Sequence, residues 1–228
     1  LGASPEFIDG IGVTPFAISA DPPAVAACAS VGSVEIDLSV SADPGFAGLV
    51  RLELTGAPVG ASTDISNNPL VPPGIAVLTV ADLMAATPGN YVIEVTGASG
   101  DEAATRSIPF VLNDAIPTSV TLVSPANNAV GVATRPALSW TAASGTGSID
   151  YRVEVSLDPA FGSLVYSATV SDETSVTVAP ALANQARYYW RVIASNGCGD
   201  AAGSPVFEFR TVAAPGACDE EATATVLF

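Results

Sequence analysis

The sequence contains no histidine and no lysine, one methionine, two tryptophans and three cysteines among its 228 residues. Without histidine, neither a Ser-His-Asp nor a Cys-His nucleophile can be assembled, and zinc loses its commonest nitrogen ligand. Hydrolytic chemistry would have to rest on carboxylates alone. Positive charge is scarce too: seven arginines face 23 acidic residues, for a net charge of −16 at pH 7. That balance repels phosphate backbones and anionic headgroups, which excludes nucleic acid as a partner. Apolar residues make up 49% of the chain, but they are largely Ala and Val interleaved with Ser, Thr, Gly and Pro. No run approaches the roughly 20 apolar residues a spanning helix needs, so membrane insertion is not expected.

What is present is strand periodicity punctuated by turns. In the first half FAISA, SVEIDLSV, LVRLELTG, IAVLTV, NYVIEVTG and ATRSIPFVLN read as strands. In SVEIDLSV, Val34, Ile36, Leu38 and Val40 fall on one face, with Glu35, Asp37 and Ser39 on the other. Asp43-Pro44-Gly45, Pro72-Pro73-Gly74, Pro88-Gly89-Asn90 and Gly97 to Gly100 supply turns, and Ala81 to Ala86 is the one stretch that suggests a helical turn. A boundary falls near Asn113 to Pro117. Beyond it SVTLVSP, ALSWTA, DYRVEVSLDP, LVYSATV, SVTVAP, ARYYWRVIAS and VFEFRTV give seven further strands. In LANQARYYWRVIASN, Leu182, Tyr188, Trp190, Val192 and Ala194 share one face, and Tyr189, Arg191 and Ile193 the other. A Leu six residues before a Tyr that opens such a run predicts a tyrosine corner, its hydroxyl bonded back to the backbone just upstream. Trp140, Tyr188 and Trp190 are the expected structural core of this half.

Residues 117–212 carry SPxNxAxGV, PxLxW, YxVEVSxDPxF and YYWRVxAxNxCG, and on these segments they resemble the fibronectin type III repeats of bacterial secreted multidomain proteins. Residues 12–113, through FxGxVxLxLTGxPxG and PGxYxIxVTG, resemble the immunoglobulin-like modules of the same proteins. The expected fold is therefore all-β, two tandem β-sandwiches, immunoglobulin-like and then fibronectin type III. The expected division is residues 1–11 as a cloning scar or linker, 12–114 and 115–213 as the two sandwiches, and 214–228 as a linker whose ATATVLF opens a following module. The opening LGASPEF reads as a scar or a cut within a longer protein. The resemblance implies secretion and modularity, beside a protease or within an adhesin. It brings no common active site with it.

Acidic, aromatic and cysteine side chains are the remaining groups that could carry chemistry. Calcium needs six to eight converging oxygens. The densest acidic groups, Asp219-Glu220-Glu221, Asp172-Glu173 and Asp101-Glu102, lack an alternating ligand order, and Asp158 in SLDPAF reads as a turn former. A structural calcium ion is thus a lesser alternative to a solvated acidic surface, and no cofactor is expected. Aromatic platforms for sugar would need exposed rings, and only Tyr189 and Tyr166 fall off the core faces. Three cysteines, Cys28, Cys198 and Cys218, have no CxxC spacing, and with the acidic Thr/Ser/Gly-rich composition they suit an oxidising compartment. In sandwiches strung end to end, the loop after the first strand of one and the loop before the last strand of the next lie at the shared junction. That predicts a Cys28–Cys198 bridge. The resemblance also allows Cys198–Cys218, because a Cys just past the last strand recurs after NxCG in such repeats.

The reading that follows is a non-catalytic accessory tandem of a secreted bacterial protein, a spacer or docking element beside a protease. The alternatives are a module binding polysaccharide or protein, and a fibre subunit that assembles with copies of itself by strand addition. Its partners would be the other domains of the parent protein, and its location extracellular.

Overall fold

The computed structural model describes residues 14–214. The chain divides into two compact units, one ending at Ala115 and the other beginning at Ile116.

In the first unit the alternating segments become β1 (Phe16–Asp21), β2 (Val25–Cys28), β3 (Val34–Ala42), β4 (Arg51–Thr55), β5 (Ser62–Ile65), β6 (Gly74–Ala81), β7 (Gly89–Ser99) and β8 (Glu102–Asn113). They form two four-stranded sheets, ordered β1-β3-β6-β5 and β2-β8-β7-β4. Neighbours run antiparallel except β2, which lies parallel to β8. This is the immunoglobulin order, A-B-E-D on one sheet and C-F-G on the other, with the first strand split so that its second half joins the opposite sheet. Ile36, Leu38 and Val40 of β3, Leu78 and Val80 of β6, Ile93 and Val95 of β7, and Ile108 and Phe110 of β8 fill the space between the sheets. Glu35, Asp37 and Ser39 face water.

Two glycines of the first unit are fixed by close approach. Gly56 closes β4 at φ +79, and a Cβ there would collide with the carbonyl oxygen of Val92. Gly97 lies inside β7 on the core face, where a Cβ would stand 2.9 Å from Ile18 Cδ1 and 3.0 Å from Val50 Cγ1. The turn expected over Gly97 to Gly100 is therefore shorter. The β7–β8 ladder runs on to the Ser99–Glu102 pair, leaving only Gly100 and Asp101 outside it. The stretch from Ala81 to Ala86 is not helical. β6 ends at Ala81, Asp82 takes φ 59, and single turns close through Ala85 N–H on Asp82 O at 3.0 Å and Ala86 N–H on Leu83 O at 3.3 Å. Leu83 is fully buried and anchors that turn.

The second unit contains β9 (Leu122–Ser124), β10 (Ala129–Val132), β11 (Ala137–Trp140), β12 (Asp150–Ser156), β13 (Leu164–Ser171), β14 (Ser175–Thr177), β15 (Arg187–Asn196), β16 (Gly199–Asp200) and β17 (Phe207–Thr211). A three-stranded sheet, β14-β11-β9, packs on β10-β17-β15-β12-β13, with β16 paired to β15. Three strands on four, with the fourth strand in the larger sheet, is the fibronectin type III arrangement. Here β10, a second half of the first strand, joins the larger sheet alongside β17. The core is aromatic: Trp140 against Tyr151 with ring centroids 5.6 Å apart, Tyr188 against Phe209 at 5.7 Å, and Trp190 edge-on to Phe207 at 6.3 Å. The indole N–H groups of Trp140 and Trp190 are buried without an acceptor, so ring packing outweighs the unmade bonds.

Candidate functional site

Between β12 and β15 the antiparallel register sets Arg152 opposite Ile193, Glu154 opposite Arg191 and Ser156 opposite Tyr189. With Val153, Val155, Trp190 and Val192 turned to the core, these partners lie on the outer face of the larger sheet. Glu154 accepts from Arg191 Nε at 2.7 Å and from Arg152 Nε at 3.1 Å, and Arg152 reaches Asp200 at 3.1 Å. The Arg191 guanidinium carbon stands 4.2 Å from the centroid of the Phe161 ring, a cation–π contact. Burial by itself lowers the Arg152 pKa, but the hydrogen bonds to Asp200 and Glu154 outweigh it and raise the value overall. Glu154 is only 7% exposed although it faces outward. Ile193, also on this face, is buried because the segment before β17 folds across it, with the Cβ position of Gly203 3.6 Å from Ile193 Cγ1. Ser204 fastens that segment: its N–H donates to Val192 O at 2.9 Å and its Oγ accepts from Val192 N–H at 3.1 Å.

A second group lies toward β10 on the same sheet. Arg187 pairs with Glu208 at 3.4 Å, and Tyr189 sits opposite Glu208 in register. A hydrogen bond with Tyr189, then the charge of Glu208, raises the Arg187 pKa. Asn127 Oδ1 accepts from Glu208 N–H at 3.0 Å, while Asn128 N–H donates to Glu208 O at 2.8 Å. Two shallow clefts share Asn128 and Glu208. One, of about 260 Å³, is walled by Val130 and Arg187, and the other, of about 290 Å³, by Pro159, Tyr189 and Val206.

The residues singled out in the sequence occupy quite different places. The Tyr188 hydroxyl accepts from Ala183 N–H at 2.9 Å, and Leu182, nearly buried, ties its own N–H to Thr134 O at 2.8 Å. Tyr188, Trp140 and Trp190 are all buried and form no surface. Asp158 closes its turn: its carboxylate accepts from Ala160 N–H at 3.0 Å and from Gly162 N–H at 3.4 Å, and its carbonyl accepts from Phe161 N–H at 3.0 Å. The Asp172 carboxylate holds Ser148 Oγ at 2.7 Å and Ile149 N–H at 2.9 Å. Among the described residues no three His, Cys, Asp or Glu side chains converge as a metal site would require. Cys28 and Cys198 are disulfide-bonded. Cys218, Asp219-Glu220-Glu221, LGASPEF and ATATVLF lie outside the described residues.

Three features escaped the sequence reading. Tyr91, near the start of β7, donates its hydroxyl to Thr87 O at 2.7 Å, a tyrosine corner in the first unit. Asn68 clamps the edge of β4 by accepting from Leu52 N–H and donating to Leu52 O, both at 2.8 Å. The Arg152–Glu154–Arg191 network is the third. Its signal is there in hindsight, since Glu154, Phe161 and Arg191 are fixed letters of the segments that carry the resemblance.

Residues 120–213 match the family model described as the Rha78A-like, N-terminal immunoglobulin domain. A search of curated proteins finds no match. Among solved structures, the chain is similar to the fibronectin(III)-like modules of Clostridium thermocellum CbhA, at 14% identity over 86% of this chain and 94% of that one, with a TM-score of 0.39. It is also similar to the FN1–FN3 domains of chicken CNTN1, at 16% identity over 78% and 62% of the two chains, TM-score 0.39. A titin domain array matches at 16% identity and TM-score 0.37 over 80% of this chain, which spans 59% of that array.

Proposed function

We propose that the chain is a non-catalytic accessory tandem of a secreted multidomain protein, a spacer or docking element that holds a neighbouring domain, a bacterial protease in the sharpest form of the reading. One observation carries it: five polar letters of the resemblance-bearing segments are spent on bonds within the second unit. Asn127 caps β17, Glu154 and Arg191 bind each other, Asp158 closes a turn, and Asn196 Oδ1 accepts from Cys198 N–H at 2.9 Å. Side chains committed to internal bonds are unavailable as acids, bases or ligands, so what these residues build is a scaffold. The disulfide-bonded state of Cys28 and Cys198 favours an oxidising, extracellular setting. Among the described residues no helix is long and apolar enough to cross a membrane.

The test is direct. Purified chain, incubated with casein, esters and glycosides, should show no turnover above a blank. Turnover abolished by a single Asp or Glu substitution overturns the proposal.

A polysaccharide-binding role is the second reading, supported by Tyr189. Its half-exposed ring borders a cleft that also carries Glu208 and Asn128, the mixture of flat apolar face and planar polar groups that suits a sugar. Retention on insoluble polysaccharide that Tyr189→Ala abolishes would favour it over the spacer.

A further inference from the structure

An exposed sheet edge offers unpaired N–H and C=O groups to any extended chain, and natural sandwiches shorten, charge or cover such edges. Most edges among the described residues are managed in that way. β2, β5 and β10 have four residues each, and β9 and β14 three. β1 ends in Asp21. β4 carries Arg51 and Glu53, and its outer side is occupied: Val50 and Leu70 exchange both backbone bonds, at 2.8 and 3.0 Å, and the Asn68 amide takes both groups of Leu52.

β13 departs from this pattern. It is the end strand of the larger sheet of the second unit, eight residues long, and its sequence LVYSATVS has no charge, no proline and no glycine. Its outward face shows Val165, Ser167, Thr169 and Ser171, all exposed. Its inward face carries Tyr166 and Val170, which lean half-buried on the core, with Ala168 between them.

We propose that β13 pairs antiparallel with β13 of a second copy of this chain, joining two six-stranded sheets across a two-fold axis. The strand is self-complementary. With Ala168 opposite its own symmetry mate, Tyr166 meets Val170 and Ser167 meets Thr169. Aromatic and β-branched residues then pair on the inner face and two small hydroxyl residues on the outer. Charge selects the same place. Two chains of net charge −16 repel each other over most of their surfaces, and an uncharged edge is where they meet with the least repulsion. A single strand pair buries less than the roughly 1,000 Å² of a stable interface, so the dimer is weak and forms at high local concentration, as on a crowded cell surface. Salt gives it a signature. Screening within about 8 Å at physiological ionic strength weakens the repulsion, so association strengthens as salt rises. A basic extended peptide at the same edge would show the opposite trend. The inference stands apart from the accessory reading, since either can fail alone.

Sedimentation of the full chain from micromolar to millimolar concentration, in low and in high salt, tests it. The expected result is a monomer–dimer equilibrium whose dissociation constant falls roughly tenfold or more between about 0.05 M and about 0.5 M salt. The double variant Ser167→Lys and Thr169→Lys places lysines opposite each other and should return the protein to monomer. On a Cys218→Ser background, Ala168→Cys should oxidise to a covalent dimer, because directly opposed strand residues meet disulfide geometry. A monomer throughout the concentration range overturns the proposal. So does a dimer indifferent to the two lysines, or an Ala168→Cys variant that fails to cross-link while the parent dimerises.

Discussion

Two tyrosine hydroxyls hold the two sandwiches by bonds of opposite direction. Tyr188 Oη accepts the N–H of Ala183, whereas Tyr91 Oη donates to the carbonyl of Thr87. Tyr188 is 3% exposed, so its loss leaves a partly buried N–H with no acceptor, while the Thr87 carbonyl can turn to water. Tyr188→Phe is therefore expected to destabilise the second unit by about 1–3 kcal/mol, and Tyr91→Phe the first by about 0.5–1.5 kcal/mol. Urea denaturation followed through each unit's own transition checks both numbers. A Tyr188→Phe effect below about 0.3 kcal/mol would show that water or another acceptor replaces the hydroxyl. The two corners also differ in legibility. Leu182 stands six residues before Tyr188 in an uninterrupted alternating run, so spacing alone points to the corner. Tyr91 follows Pro88-Gly89-Asn90, and nothing in that turn signals that the Thr87 carbonyl will be in reach.

At the scale of elements, hydrophobic alternation makes the long strands legible and fails for the short ones. The apolar residues of β3 and β12 repeat at period two; β3 buries every second side chain in mid-strand, while β12 buries Glu154 and Ser156 as well. β2, with sequence VAAC, and β5, STDI, have too little apolar contrast to read as strands. They are set by backbone pairing, β2 with β8 and β5 with β6. The same limit hid the segment from Ser66 to Leu70, whose side chains substitute for strands. Asn67 Nδ2 donates to Ile75 O in β6 at 2.8 Å, and Asn68 grips Leu52 in β4, so adjacent asparagines brace the two sheets. Asn68→Ala removes both bonds to Leu52 and bares part of the β4 edge. It should cost about 1–3 kcal/mol in the first unit, and light scattering during refolding should rise as the unguarded edge finds other chains. Asn68→Asp keeps the acceptor for Leu52 N–H but loses the donor, and should fall between wild type and Ala in both measurements.

At the scale of the whole molecule, the bond the cysteines make decides whether the proposed spacer would be stiff or jointed. Cys28 closes β2 in register with Asn113, at the end of the strand that precedes the boundary at Ala115. Cys198 precedes Gly199, where a Cβ would stand 3.8 Å from Cγ2 of Ile116, the first residue of the second unit. Each cysteine thus sits, within its own unit, beside the residues that lead the polypeptide across the boundary, and both are disulfide-bonded. A bridge from Cys28 to Cys198 would close a large loop through that boundary and restrain motion there, whereas Cys198 to Cys218 would tie down the tail and leave the boundary free. Non-reducing peptide mapping is expected to recover Cys28 joined to Cys198 and Cys218 as a separate thiol. Recovery of Cys28 as a free thiol, or of either cysteine joined to Cys218, would show that the boundary is unrestrained. The stiff-spacer form of the accessory role would then lose its physical basis.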